Sequence, residues 1–340
     1  MRKTDVTFIS PGNTARIYQE LAKKYTTIEP PTWSLLLAES VRKDHSCNII
    51  DINAENITDE EVYDRLISDG TQIALFVVYG QNVNAGTVSM SGAVKSSKEL
   101  RRLGWTKPIA FIGSHVQALP KKTLEEEPSI DFVFTNEGVY ALKTLLAQGK
   151  YDDVTLANTR GIAWRSPQGI VINPAERIVP NDRMDIDLPG YAWDLLPMRE
   201  KPLDLYRAPM WHAEYNEEIR SPYAAIQTSL GCKFGCGFCM INMINRNDEE
   251  EIGVASNYST MRHWSPEFII KEFDKLVEMG VTTIKITDEL FLLNKKYYKP
   301  LCETLAERPY ADKLTMWAYS RIDTVRDPNV LSLLRRAGIK

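Results

Sequence analysis

Gly231-Cys232-Lys233-Phe234-Gly235-Cys236-Gly237-Phe238-Cys239 packs three cysteines into eight residues, while the rest of the 340-residue chain holds only Cys47 and Cys302. Three thiolates at this spacing can hold three irons of a 4Fe-4S cluster and leave the fourth iron without a protein ligand, whereas a cluster that only transfers electrons usually takes four cysteines. An iron with an open position can bind a substrate, as an open zinc position does. A zinc site would need a fourth ligand, and the nearest histidines, His212 and His263, fall outside any compact finger spacing. A redox dithiol and buried cysteines without a role are the other plain readings.

Around the cysteines the sequence alternates between strand and helix patterns. Ala224 to Thr228 reads as a strand feeding the cysteine loop, Thr282 to Thr287 and Leu314 to Tyr319 as two more, with helices at Pro266 to Met279, Lys295 to Glu307 and Asn329 to Ala337. Ser265-Pro266-Glu267 supplies an N-cap and a first-turn proline, and Gly280 ends the same helix. In β/α barrels the active site gathers at the carboxyl ends of the strands. Those ends carry the three cysteines after the first strand, Asp288 and Glu289 after the second, and Ser320, Arg321 and Asp323 after the third. A helix-capping acid and a surface arginine would explain the last two groups without any ligand. The acidic run Asp248 to Glu251 reads as a solvated face, Cys302 as core beside Leu301 and Leu305, and Cys47 as the start of a buried strand.

The first 150 residues alternate in the same way. Short apolar runs at Val6 to Ile9, Cys47 to Ile52, Ile73 to Tyr79, Ile109 to Ile112 and Phe132 to Phe134 are separated by helical patterns at Thr32 to Arg42, Thr58 to Ser68, Val88 to Leu103 and Val139 to Gln148. This order implies an α/β, doubly wound parallel sheet, in which ligands sit beyond the carboxyl ends of the strands. The loops there are Ser10-Pro11-Gly12-Asn13-Thr14, Tyr79-Gly80-Gln81-Asn82, Gly113-Ser114-His115 and Thr135-Asn136-Glu137-Gly138. All are small and polar, which turn formation alone would also produce. Residues 151–220 read as a connector: a β-hairpin over Ser166-Pro167-Gln168-Gly169, then six prolines from Pro174 to Pro209 that rule out long helices, with Trp193, Tyr206, Trp211 and Tyr215 to pack it.

The order C-x3-C-x2-C, with an aromatic just before the last cysteine, resembles the signature of the radical S-adenosylmethionine (AdoMet) enzymes. The four polar loops upstream, above all the Gly-x-His and x-x-Glu-Gly loops, resemble the cobalamin-binding domain of one large subfamily of these enzymes. The resemblance implies a Rossmann-like cobalamin-binding domain over 1–150, the connector over 151–220, and the first half of a partial (β/α)6 TIM-like barrel over 221–340. It makes the chain an apparently truncated piece of a longer enzyme. It places the 4Fe-4S cluster on Cys232, Cys236 and Cys239, and AdoMet against Phe238, with Glu289 or Asp288 on its ammonium and Arg321 or Ser320 on its carboxylate. Cobalamin would lie on Pro11, Gly12, Asn13, Thr14, Tyr79, Gly80, Gln81, Asn82, Gly113, Ser114, His115, Thr135, Asn136, Glu137 and Gly138. The D-x-H-x-x-G run that supplies a histidine to cobalt in other cobalamin proteins is missing here, since Asp44 and His45 are adjacent. Asn13 or Gln81 would face the cobalt or bond to corrin amides, and His115 would touch the corrin edge.

In this subfamily the cofactors carry methyl transfer to unactivated carbon: one AdoMet methylates the reduced cobalamin and a second yields the 5'-deoxyadenosyl radical that removes a substrate hydrogen. A cobalamin-dependent methyltransferase is therefore the leading expectation, acting on a small-molecule or natural-product substrate with an external electron donor of the flavodoxin or ferredoxin type. The alternatives are a non-methylating rearrangement or cyclisation enzyme and a corrinoid carrier or sensor. A methylthiotransferase would need three further cysteines near the N-terminus, where only Cys47 is available. Composition agrees with an enzyme of the cytoplasm: 44% hydrophobic and 25% charged residues, a formal charge of -4, no basic stripe for nucleic acid, and no apolar run of membrane-spanning length.

Overall fold

The computed structural model describes residues 3–12, 25–79, 86–210, 218–250 and 253–340. Five strands, β1 (Val6–Ser10), β2 (Cys47–Asp51), β3 (Ile73–Val77), β4 (Ile109–Ile112) and β5 (Phe132–Phe134), pair in parallel in the order β2-β1-β3-β4-β5. Their side chains are buried on both faces, as in a parallel sheet covered by helices. Phe8, Leu75, Ile112 and Phe134 pack on one side with α1 (Thr32–Val41), while Ile9, Phe76, Phe111 and Val133 pack on the other with α2 (Asp59–Ser68) and α3 (Gly86–Arg102). Thr58 caps α2 in a reciprocal capping box with Glu61. The strand order reverses between β1 and β3, which opens a crevice at their carboxyl ends.

The hairpin read in the connector, β6 (Ile162–Ser166) and β7 (Gly169–Ile172), extends this sheet. β6 pairs antiparallel with β5, Val133 opposite Ala163, so the seven-stranded sheet runs to residue 172. The strand pattern of the hairpin is local, but its docking on β5 is a long-range pairing that periodicity does not encode. The rest of the connector fills the space between the two halves. Tyr206 donates to Asp51 at the end of β2, at 3.2 Å, and Trp193 donates to Glu272 at 3.1 Å. Trp211 and Tyr215 lie outside the described residues.

The second half is a smaller parallel sheet of β8 (Tyr223–Ile226), β11 (Thr283–Ile286) and β12 (Thr315–Ala318), in the order β8-β11-β12. Helices α4 (Pro266–Glu278), α5 (Lys295–Ala306) and α6 (Pro328–Arg336) cover the face that carries Ala224, Ile284 and Met316. On the opposite face Tyr223 stacks on Trp317, ring centroids 5.7 Å apart, and Lys285 pairs with Glu29 at 3.0 Å. Beyond α6, Ile339 begins parallel pairing with β12 through Met316. Two short strands absent from the sequence reading, β9 (Ser229–Gly231) and β10 (Met261–His263), pair antiparallel and carry the cysteine loop. Among the described residues no helix is long and apolar enough to cross a membrane.

Candidate functional site

The cysteine loop begins where β9 ends, and its first residue is forced to be small. Gly231 has φ +82, and a Cβ there would collide with the Thr260 carbonyl and Asn245 Nδ2. From this anchor Cys232 turns inward and is buried, Cys236 is exposed and Cys239 is partly exposed, all three as free thiols. The Phe234 N–H donates to Cys232 Sγ at 3.5 Å. Burial pushes the Cys232 thiol above its ordinary value, the Phe234 amide pulls it down, and Cys239, Glu289 and Cys236 add to the rise. The four groups are therefore within electrostatic reach of one another. Among the described residues no three His, Cys, Asp or Glu side chains converge as the ligands of a single metal ion. His263 packs against the Tyr297 ring at 4.4 Å, and His212 lies outside the described residues.

The two neighbouring acids at the end of β11 have different tasks. Asp288 is 3% exposed and accepts three hydrogen bonds at 2.6 Å, from the Thr228 N–H and hydroxyl and from the Ser229 hydroxyl. It clamps the end of β11 to the turn between β8 and β9. Glu289 makes no hydrogen bond or ion pair among the described residues, and burial raises its carboxyl above the ordinary range. The third loop leans over the first: the Arg321 guanidinium lies 4.6 Å from the Phe234 ring centre while paired bidentately with Asp323, at 3.0 and 3.1 Å. Ser320 shares a 2.7 Å hydrogen bond with Thr324. Phe238 stands 82% exposed between the last two cysteines. Cysteine loop, Glu289 and Arg321 thus gather at one end of β8, β11 and β12.

The polar loops of the first sheet divide into two kinds. Pro11, Gly12, Tyr79 and His115 are partly exposed at the strand ends, and Ser114 is buried at the start of a short helix. Gly113 has φ +150 and passes so close to the Val78 carbonyl that no side chain fits. Gln117 donates to the Tyr79 hydroxyl at 2.7 Å, and burial lowers the pKa of His115, which favours its neutral form. Asn13, Thr14, Gly80, Gln81 and Asn82 lie outside the described residues.

Thr135, Asn136, Glu137 and Gly138 are all buried, and the Asn136 and Glu137 side chains bond within the protein. The Glu137 carboxylate accepts from the Val179 N–H at 2.5 Å and pairs with Arg262 at 2.7 Å, and its own N–H donates to the Ile244 carbonyl. Asn136 donates to the carbonyls of Glu176 and Arg246 and accepts from the Gly138 N–H. The wholly buried Arg246 donates to the Gln117 carbonyl and to Asp248 at 3.1 Å. This loop is a joint between the first sheet and the segment after the cysteines. Sequence reasoning put the backbone around Met240 to Asn242 beside the cysteine site but missed the Asn242 side chain, Asn245, Arg246 and Arg262 as its builders. The available signal was the pair of asparagines in the repeat Met240-Ile241-Asn242-Met243-Ile244-Asn245 directly after Cys239, followed by Arg246, a period that fits neither an amphipathic α-helix nor a strand. It also read Asp248 as solvated, whereas Asp248 turns in to meet Arg246 and the Tyr258 hydroxyl.

One end of the smaller parallel sheet thus carries three cysteines, Glu289 and Arg321. Residues 226–340 match the family model of the radical SAM superfamily. Over 92% of its length the chain is 28% identical to the uncharacterized methyltransferase PH0819 of Pyrococcus horikoshii, covering 59% of that protein. It is 23% identical to the anaerobic magnesium-protoporphyrin IX monomethyl ester cyclase of Cereibacter sphaeroides, covering 46% of it. The fold matches the radical S-adenosylmethionine methyltransferase TsrM of Kitasatospora setae, solved with cobalamin and a [4Fe-4S] cluster, at TM-score 0.67 and 18% identity, over 100% of this chain and 60% of that one. It also matches the cobalamin-dependent S-adenosylmethionine radical enzyme OxsB, at TM-score 0.64 and 16% identity, over 98% of this chain and 42% of that one. The chain spans about half the length of the curated relatives it matches.

Proposed function

We propose that the chain holds a 4Fe-4S cluster, AdoMet and cobalamin and belongs to a methyltransferase acting on unactivated carbon of a small molecule. The observation that carries the reading is the meeting of three free cysteines, a partly buried acid without a hydrogen-bond partner among the described residues, and an arginine at one end of a three-stranded parallel sheet. Cys232, Cys236 and Cys239 would hold three irons, the number that leaves a fourth open to a substrate. When bound, the cofactors supply reductive cleavage of AdoMet and a cobalt-borne methyl group.

The chain's own residues bind and orient. Glu289 is the acid for the AdoMet ammonium, because the Asp288 oxygens are already taken by Thr228 and Ser229. Arg321 takes the carboxylate, with Phe234 under its guanidinium and Asp323 fixing its plane, and Ser320 lies beside it. Phe238 offers an open aromatic face to the adenine. Of the first-sheet residues, Pro11, Gly12, Tyr79, Gly113, Ser114 and His115 border the crevice for the corrin. Asn13, Thr14, Gly80, Gln81 and Asn82 belong to the same two loops in sequence.

The test is an anaerobic absorbance spectrum of the cluster-reconstituted protein mixed with hydroxocobalamin and desalted. A retained corrin band beside the iron-sulfur absorbance is expected. Loss of the corrin would overturn the cobalamin part of the proposal. The two cyclases at 23% identity favour a second reading, ring closure without methylation. Transfer of a labelled methyl group from AdoMet to product separates the two.

A further inference from the structure

The cysteine loop is shaped by one buried side chain that the proposed chemistry does not use directly. Asn242 is 2% exposed on the turn Ile241–Asn245. Its Oδ1 accepts from the Cys232 N–H at 2.9 Å, and its Nδ2 donates to the Phe234 carbonyl at 3.2 Å and to the Ser259 hydroxyl at 3.1 Å. A primary amide is the group that offers an acceptor and a donor side by side, and the donor at Cys232 and acceptor at Phe234 allow it one orientation. Ser259 braces the same carbonyl at 3.3 Å and is itself tied to Ser256. The turn beneath is fixed to the first sheet through the Glu137 N–H on the Ile244 carbonyl and through Met243, packed against Ala118 and Tyr258.

The consequence falls on the Phe234 amide. Asn242 grips both ends of the Cys232–Phe234 turn, and within that turn the Phe234 N–H points at Cys232 Sγ. A donor aimed at a ligating sulfur stabilises the extra negative charge of a reduced cluster, so it raises the reduction potential. We infer that Asn242 is a positioning residue that holds the Phe234 N–H on the Cys232 sulfur and so makes one-electron reduction of the cluster easier. The electron comes from a low-potential external donor and resides on the cluster, and no bond forms or breaks at Asn242. The inference rests on the proposed cluster and assigns it a redox determinant outside the cysteine motif.

The experiment compares cluster-reconstituted wild type, Asn242→Ala and Ser259→Ala by anaerobic redox titration with low-potential mediators, following the reduced-cluster EPR signal and the iron content. Asn242→Ala is expected to carry iron as wild type does and to reduce about tenfold less favourably, which for one electron is a fall of about 59 mV. Ser259→Ala should move the potential the same way by less. A purely structural asparagine would lower the cluster yield and leave the potential of the loaded fraction unchanged, so coincident titration curves for Asn242→Ala and wild type would overturn the role. If Asn242→Ala takes up no iron, Ser259→Ala decides on the same criterion. A wild type that binds no cluster would overturn the proposed function itself, before any variant is compared.

Discussion

The loop Thr135–Gly138 and the loop Cys232–Cys239 are both glycine-bearing and placed by the strand pattern at the end of a sheet, yet they do opposite things. In the first, Asn136 and Glu137 are spent on Gly138, Glu176, Val179, Arg246 and Arg262. In the second, Cys236 is exposed and Phe238 is 82% exposed, with the unpaired Glu289 within electrostatic reach. Polar residues at strand ends therefore mark a ligand site only where the chain leaves their groups unsatisfied. Where it satisfies them, they are a joint.

The sharpest way to break the comparison is to remove a group from each loop. Cys236→Ala should abolish cluster absorbance and AdoMet cleavage altogether, while leaving unfolding within about 0.5 kcal/mol of wild type because the thiol is exposed. Persistent 5'-deoxyadenosine formation would sink the cluster assignment. Arg262→Ala should do the reverse. It strands the buried Glu137 carboxylate, a loss of about 3–5 kcal/mol in denaturant unfolding. An unchanged midpoint would show that the joint is not a stabilising contact. Replacing Glu137 and Arg262 together by leucine and methionine should recover much of that loss, since the cost lies in the orphaned charge.

Asp288→Asn tests the same distinction within one strand end, with a smaller effect. An amide N–H2 would face donors that now point at a carboxylate, costing about 1–3 kcal/mol, toward the lower end because the Thr228 and Ser229 hydroxyls can turn to accept. Chemical denaturation measures it. A variant as stable as wild type would remove the clamp from the account.

The parallel strands were legible because β/α alternation and buried apolar runs are local signals. The β6–β7 hairpin was legible for the same reason, through its turn. Its docking on β5 was not, and neither were β9 and β10, whose three-residue pairing depends on Gly231 meeting Met261 across the cysteine loop. The cysteines announced themselves by spacing. Asp288 and Glu289 could not be told apart, since their difference is set by Thr228 and Ser229, sixty and fifty-nine residues earlier. The pairing of Glu137 was hidden for a similar reason: its partner Arg262 lies far along the chain and joins it only once both halves are folded.

Glu289→Gln completes the contrast with its neighbour. Burial raises the Glu289 carboxyl, with Lys285 opposing and Asp288 adding to the rise, so the folded chain holds this proton to higher pH than the unfolded chain does. Stability linked to Glu289 is therefore full below the unfolded pKa and is lost as pH rises through the folded one. Glutamine cannot ionise, so Glu289→Gln should flatten that part of the stability curve above pH 4.5 and cost no stability at neutral pH, in contrast to Asp288→Asn. AdoMet should act on the wild type in the same sense, because its ammonium adds to the counter-charge that Lys285 already supplies. The variant should consequently bind AdoMet more weakly, and AdoMet should raise its melting temperature less than that of wild type. Equal ligand-induced shifts in the two proteins would mean that the open acid at the end of β11 is not the ammonium's partner.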